Sequence, residues 1–154
     1  MFIASNYSLV KGTSIGDNFK ILSFDNALID AKVGNYNILK VSSILPPNCC
    51  CLQNINNCYG SVLHMAYASC TGKGIGIMSS AVAVGIPTNT YDIGVIMEYS
   101  DFVPKEICLK IVEDLVKSAM KKRNISFNEI KSIGCEVELC KNSYSTTFAG
   151  IAMW

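Results

Sequence analysis

The stretch Pro104 to Lys122, PKEICLKIVEDLVKSAMKK, decides the fold class. Ile107, Ile111, Leu115 and Ala119 recur every four residues, and Val112 and Met120 widen the stripe. That period predicts an amphipathic helix with one face packed on a sheet. Asp101 stands just ahead as a capping candidate, and Pro104 suits a first turn, whose N–H groups have no partner within the helix. On the upstream side, residues 75–86 and 93–99 are rich in β-branched and apolar side chains and read as two buried strands, joined by the turn Pro87-Thr88-Asn89-Thr90. On the downstream side, residues 131–140 alternate through Ile133, Cys135, Val137 and Leu139, and residues 145–153 make a further strand. Nearer the start, residues 7–11 read as a strand, Ser23 to Val33 as a short helix ended by Gly34, and residues 36–42 as another strand. Helices set between runs of strands predict an α+β sandwich.

The chain has 154 residues, half of them hydrophobic, with no internal repeat or linker, which predicts a single domain over 1–154. A net charge of +1 gives no electrostatic case for nucleic acid. Lys121, Lys122 and Arg123 form the one basic cluster, and at a helix end they answer the macrodipole. The most apolar stretch, Gly74 to Pro87, is interrupted by Ser79-Ser80 and falls short of the roughly 20 residues a spanning helix needs, so no membrane role is expected. Met1 to Asn6 carries no secretion signal, and a cytoplasmic location is expected.

The eight cysteines are then expected as reduced thiols. Cys49, Cys50, Cys51 and Cys58 do not match the CxxC spacing that wraps tetrahedral zinc, and His64 is the one histidine, so no metal is expected. Thr71-Gly72-Lys73-Gly74 lacks the upstream glycine and following hydroxyl of a phosphate loop and reads as a turn. A Ser-His-Asp hydrolase would have to use His64, which nothing in the sequence brings near Ser42 or Ser43.

Those two serines stand in the run Lys40-Val41-Ser42-Ser43-Ile44-Leu45-Pro46-Pro47. Taken alone, Ser-Ser before Pro-Pro is an ordinary exit from a strand into a loop. It is also a place where a chain can cut itself. The Ser43 hydroxyl can attack the Ser42 carbonyl and turn amide into ester, provided that backbone strain and donors at the carbonyl oxygen favour the shift. Elimination leaves dehydroalanine at position 43, and its hydrolysis releases ammonia and leaves a pyruvoyl group on the new terminus. Pro46 and Pro47 fix φ just beyond the cut.

Further segments accompany this run: Ser8-Leu9-Val10-Lys11-Gly12-Thr13-Ser14, Phe24-Asp25-Asn26-Ala27-Leu28, Gly34-Asn35-Tyr36-Asn37, Gly94-Val95-Ile96-Met97-Glu98-Tyr99 and Phe148-Ala149-Gly150-Ile151-Ala152-Met153-Trp154. In content and order the chain resembles the pyruvoyl-dependent arginine decarboxylases from end to end. The segment Cys49 to Cys51 departs from the family pattern. The resemblance implies a four-layer αββα sandwich, self-cleavage by serinolysis into 1–42 (the β chain) and 43–154 (the α chain), and a covalent pyruvoyl group derived from Ser43 in place of pyridoxal phosphate or a metal. It further implies decarboxylation of L-arginine to agmatine and carbon dioxide, serving polyamine synthesis or acid resistance. Assembly into a homotrimer or a dimer of trimers is implied too, with sites at subunit contacts.

Glu98 lies in an apolar strand, where burial would favour its neutral, proton-donating form, or at a strand end facing solvent. The resemblance gives it the return of a proton to the decarboxylated substrate. Asp25 suits two parallel hydrogen bonds to a guanidinium, or serves as a helix-start acid. With Leu28 and Gly34 it forms the substrate-binding set by resemblance; Gly34 reads as helix terminator, pocket lining or both. Asn37 joins Ser42 and Ser43 in the self-cleavage set, and its bland alternative is a turn asparagine. Two other functions stay open on sequence: a pyruvoyl decarboxylase of another amino acid, and an unprocessed, non-catalytic binding or assembly protein.

Overall fold

A computed structural model of the chain describes residues 3–154. Met1 and Phe2, where the reading for a secretion signal begins, lie outside the described residues. In chain order the elements are β1 (Asn6–Asp17), α1 (Lys20–Asp30), β2 (Asn37–Lys40), β3 (Ile44–Leu45), β4 (Cys50–Cys51), β5 (Val62–Gly72), β6 (Ile77–Pro87), β7 (Gly94–Asp101), α2 (Lys105–Lys122), β8 (Phe127–Glu138) and β9 (Tyr144–Met153). One sheet has the order β2-β5-β9-β1-β4 and the other β3-β7-β6-β8. The sheets face each other, α1 covers the outer side of the first and α2 the outer side of the second. The result is the expected four-layer αββα sandwich of the α+β class.

The middle strands show why the layers stack. In β9, Ala149, Ile151 and Met153 join Val82, Val84 and Ile96 between the sheets, while Phe148 and Ala152 join Ala27, Ala31 and Val33 under α1. A strand buried on both faces has no polar alternation. In β6 the same division sends Val82 and Val84 inward and Ala81 and Ala83 toward α2.

Helix α2 forms where the period predicts, but turned. Its buried residues are Cys108, Val112, Val116, Ala119 and Met120, whereas Ile107 and Leu115 are 46% and 41% exposed. The small side chains of β6 explain the turn. A Cβ on Gly85 would lie 2.8 Å from Val116 Cγ1 and 3.0 Å from Met120 Cγ, so that glycine is the notch into which this face settles. Asp101 does not cap the helix either. Its Oδ1 accepts the Phe102 N–H and its Oδ2 the Tyr99 hydroxyl, both at 2.8 Å, while the Lys105 N–H donates to Glu136 Oε2 across the sheet (2.8 Å).

Helix α1 starts three residues before the expected Ser23 and ends at Asp30. Lys32, at φ 63°, takes the left-handed position, and the Val33 and Gly34 N–H groups both donate to the Leu28 carbonyl (2.9 Å). This is a Schellman end with lysine where glycine is the usual choice. Gly34 is therefore not the terminator; a Cβ there would lie 2.7 Å from Ile29 Cγ1. Strand β1 runs well past the expected residues 7–11. Strand β5, for which the sequence period predicts no element, supplies an inner strand of the first sheet.

Gly12 on β1 allows α1 to come this close. A Cβ there would meet the Ala27 carbonyl oxygen and lie 2.5 Å from the Ala31 nitrogen, both backbone atoms of the helix end. Neither neighbour can rotate away. Gly12→Ala is expected to destabilise the fold by about 2–3 kcal/mol, read as a lowered chemical-denaturation midpoint at unchanged slope.

Candidate active site

The chain leaves the first sheet at Val41 and enters the second at Ile44, so Ser42 and Ser43 form the crossover between the sheets. Its two ends are anchored separately. Upstream, β2 pairs in parallel with Val62–Met65 of β5, and the Val41 N–H donates to the Met65 carbonyl (3.0 Å). Downstream, β3 pairs with Gly94 and Val95 of β7, and the Ile96 N–H donates to the Ser43 carbonyl (2.8 Å). Between these anchors the Ile44 N–H donates to the Ser42 carbonyl (3.0 Å), closing a three-residue turn centred on Ser43. The carbonyl that self-cleavage would attack thus already accepts a backbone donor. Pro46 and Pro47 follow at once and stiffen the exit.

A cleft of about 250 Å³ opens beside this crossover, lined by Ile3, Ala4, Val41, Ser42, Ile44, Pro46, His64 and Met153. His64 reaches it from β5, which is how the fold brings the one histidine to the wall that carries Ser42. The sequence gives no sign of this, because the pairing of β2 with β5 creates the proximity.

Glu98 lies on β7, two residues beyond Ile96 and so on the same face of the strand. Ile96 belongs to the core between the sheets, and Glu98 continues that face at the sheet edge, half-buried. Burial pushes its carboxyl above the usual range, and the Lys40 ammonium, 3.7 Å from Oε1, pulls it part of the way back. Oε2 is buried with no hydrogen-bond partner among the described residues. The Lys40 ammonium also lies 4.4 Å from the centre of the Tyr67 ring. Lys40 was not singled out by the sequence. Its nearness to Glu98 follows from β2 and β3 running on together along two different sheets.

The other candidates lie elsewhere on the chain. Asp25 is on the exposed side of α1, and Leu28 packs with Ala27, Phe148 and Val33 beneath it. The first sheet separates α1 from the core between the sheets, which the cleft residues Ala4 and Met153 join. Gly34 sits against Ile29 just beyond the helix. The Asn37 amide donates to the Gly60 carbonyl (2.6 Å) and its backbone N–H to the Ser61 carbonyl (2.9 Å), so it holds the loop before β5. Ser42, Ser43 and Glu98 are thus drawn to one sandwich edge, whereas Asp25, Leu28, Gly34 and Asn37 lie away from it.

The cysteine segment just after the crossover forms β4, parallel to Asn6 and Tyr7 at the edge of the first sheet. Cys49 packs on the inter-sheet core, and its thiol is pushed up to about 11, first by burial and then by Cys50 and Cys51. All eight cysteines are free. Among the described residues no cluster of three His, Cys, Asp or Glu is placed to hold a metal ion, and no helix is long and apolar enough to cross a membrane.

Residues 6–154 match the family model described as pyruvoyl-dependent arginine decarboxylase. The pyruvoyl-dependent arginine decarboxylase of Methanocaldococcus jannaschii is 31% identical over 153 residues, covering 99% of this chain and 91% of the relative. That of Methanococcus aeolicus is 32% identical over 148 residues, covering 96% and 88%. Among solved structures, a pyruvoyl-dependent histidine decarboxylase at pH 8 superposes with a TM-score of 0.50 at 14% identity, over 64% of this chain and 52% of that one. The last likeness bears on the fold alone. With the family model covering nearly the whole chain and relatives matched end to end, this protein belongs to the pyruvoyl-dependent arginine decarboxylase family.

Proposed function

We propose that this chain cuts itself between Ser42 and Ser43 and uses the resulting pyruvoyl group to convert L-arginine to agmatine and carbon dioxide. The observation that carries the reading is the turn at the crossover. Attack by Ser43 Oγ on the Ser42 carbonyl carbon puts negative charge on an oxygen that already accepts the Ile44 N–H at 3.0 Å. A donor aimed where charge develops favours such a step. The C–N bond then breaks to give the ester. Removal of the Cα proton of residue 43 and departure of the ester oxygen from its Cβ leave dehydroalanine at 43 and a carboxylate on Ser42. Water replaces the nitrogen, which departs as ammonia.

The residues fit the group that results. The carbonyl of residue 43, retained in the product, is held by the Ile96 N–H at 2.8 Å, and β3 fixes the following residues to β7. A pyruvoyl carbonyl supplies an electron sink for the bond that loses carbon dioxide. Glu98, whose proton affinity burial raises, stands on the adjoining strand to return a proton to the substrate's α-carbon.

Asp25 would hold the guanidinium. Because α1 lies on the far side of the first sheet from the cleft, the substrate-binding set of one copy serves the electrophile of another, which supports a homotrimer or a dimer of trimers. Asn37 acts in the same way, across a subunit contact. The reading also puts the enzyme in the cytoplasm, where eight free thiols persist. Agmatine production would then serve polyamine synthesis or acid resistance.

Intact-mass measurement on denatured protein, followed by a carbon dioxide release assay with arginine, tests this directly. Two fragments, the larger lighter by one ammonia than a serine-started chain, together with arginine turnover, are expected. A persistent single chain would favour the binding or assembly role, and cut protein with faster turnover of another amino acid would favour the other decarboxylase. Asp25→Asn is expected to raise KM for arginine by about tenfold or more with kcat little changed, since a charge-assisted pair is weakened without touching the reacting carbon.

A further inference from the structure

Lys40 stands two residues before Ser42, the end of the short fragment, and Glu98 belongs to the long one. Their ion pair therefore spans the proposed cut. It is long, at 3.7 Å, and the Lys40 side chain is 53% exposed, so it contributes little to stability. Its geometry suggests another use. One carboxylate oxygen faces the ammonium and the other is buried with no hydrogen-bond partner among the described residues, while the Tyr67 ring, 4.4 Å from Nζ, limits where the ammonium can go.

We propose that Lys40 is a positioning residue for Glu98: reaching across the cut, it holds Oε1 and leaves Oε2 as the oxygen that carries and returns the proton. This rests on the reading of Glu98 as proton donor. The titratable groups on the strands around Glu98 are few. β2 offers Lys40, β5 offers His64, Tyr67 and Cys70, and neither β3 nor β6 carries one; opposite Glu98 on β6 is Val82. Of these, Lys40 alone acts on the Glu98 carboxyl, lowering its proton affinity against the larger, raising effect of burial. Removing the ammonium therefore raises that affinity. Since the donor works in its protonated form, the alkaline limb of activity should move upward with it.

The experiment compares cut wild type, Lys40→Met, Lys40→Gln and Lys40→Arg. Glutamate carboxyl carbons are labelled, the Glu98 signal is assigned by its loss in Glu98→Gln, and its titration is followed alongside the pH profile of kcat for arginine. In Lys40→Met and Lys40→Gln the titration and the alkaline limb are expected to rise together by about one pH unit, and Lys40→Arg to restore both. An unmoved titration in whichever neutral variant folds and is cut, or an arginine variant that behaves like the neutral ones, would overturn the role of Lys40. Wild-type protein whose Glu98 titrates with the expected Lys40 dependence but which turns over no arginine would instead sink the decarboxylase reading, and the ion-pair coupling would stand.

Discussion

Replacing Ser43 by alanine is expected to leave one uncut chain and to reduce arginine decarboxylation to background, a loss on the order of 10^6-fold or down to the assay floor. Alanine at 43 cannot attack the Ser42 carbonyl, and even a chain cut there by other means would carry an amine where the electrophile should be. The fold should survive. Residue 43 contributes to it chiefly through its backbone carbonyl, which accepts the Ile96 N–H whatever the side chain. Far-ultraviolet circular dichroism and the thermal transition should therefore match those of uncut wild-type protein. Ser42→Ala is the informative companion, because it leaves both the attacking hydroxyl and the attacked carbonyl in place. Cut protein from Ser42→Ala beside uncut Ser43→Ala would assign the nucleophile, and cutting in Ser43→Ala would refute the mechanism.

Glu98→Gln should leave cutting intact and lower kcat by about 10^2- to 10^4-fold with a smaller change in KM. Glutamine matches the shape of the acid and cannot release a proton. The pH dependence separates this from a structural defect. Burial, the first cause, and Lys40, the second and opposing one, leave the wild-type carboxyl above its ordinary range, so proton return should fail as pH rises through that raised value. In Glu98→Gln this alkaline limb should vanish. A variant with lowered kcat that keeps the wild-type limb would assign the limb to another group and remove Glu98 from the reaction.

The α+β class was readable in the sequence because its strongest signals are local, whereas the four-layer order came with the family resemblance. The helix of residues 105–122 shows in a four-residue period, β6 and β7 show in β-branched and apolar runs, and β8 shows in its alternation. The rotation of α2 was not readable, because it depends on Gly85, a notch on another strand. Strand β5 escaped for a different reason. It is covered on both faces for much of its length and mixes Leu63, Met65 and Ala66 with His64, Ser69 and Thr71, so neither a two-residue nor a longer apolar period marks it. At the site, the Ser-Ser-Ile-Leu-Pro-Pro run was visible as a motif. Lys40 and His64 were not, because both acquire their places only when β2 pairs with β5 while β3 pairs with β7.

The crossover has one more consequence, which concerns how the protein comes apart. Residues 3–42 supply α1, a whole outer layer, together with β1, an inner strand flanked by β9 and β4. In an uncut chain the two halves stay tethered, so their refolding onto each other is intramolecular. Once the peptide between 42 and 43 is gone, the same unfolding sheds a second molecule, and recovery becomes an encounter between two partners that dilution opposes. The mature protein would thus carry a record of having folded before it was cut, legible as a melting temperature that rises with protein concentration even within a single protomer, and as poor recovery after denaturation.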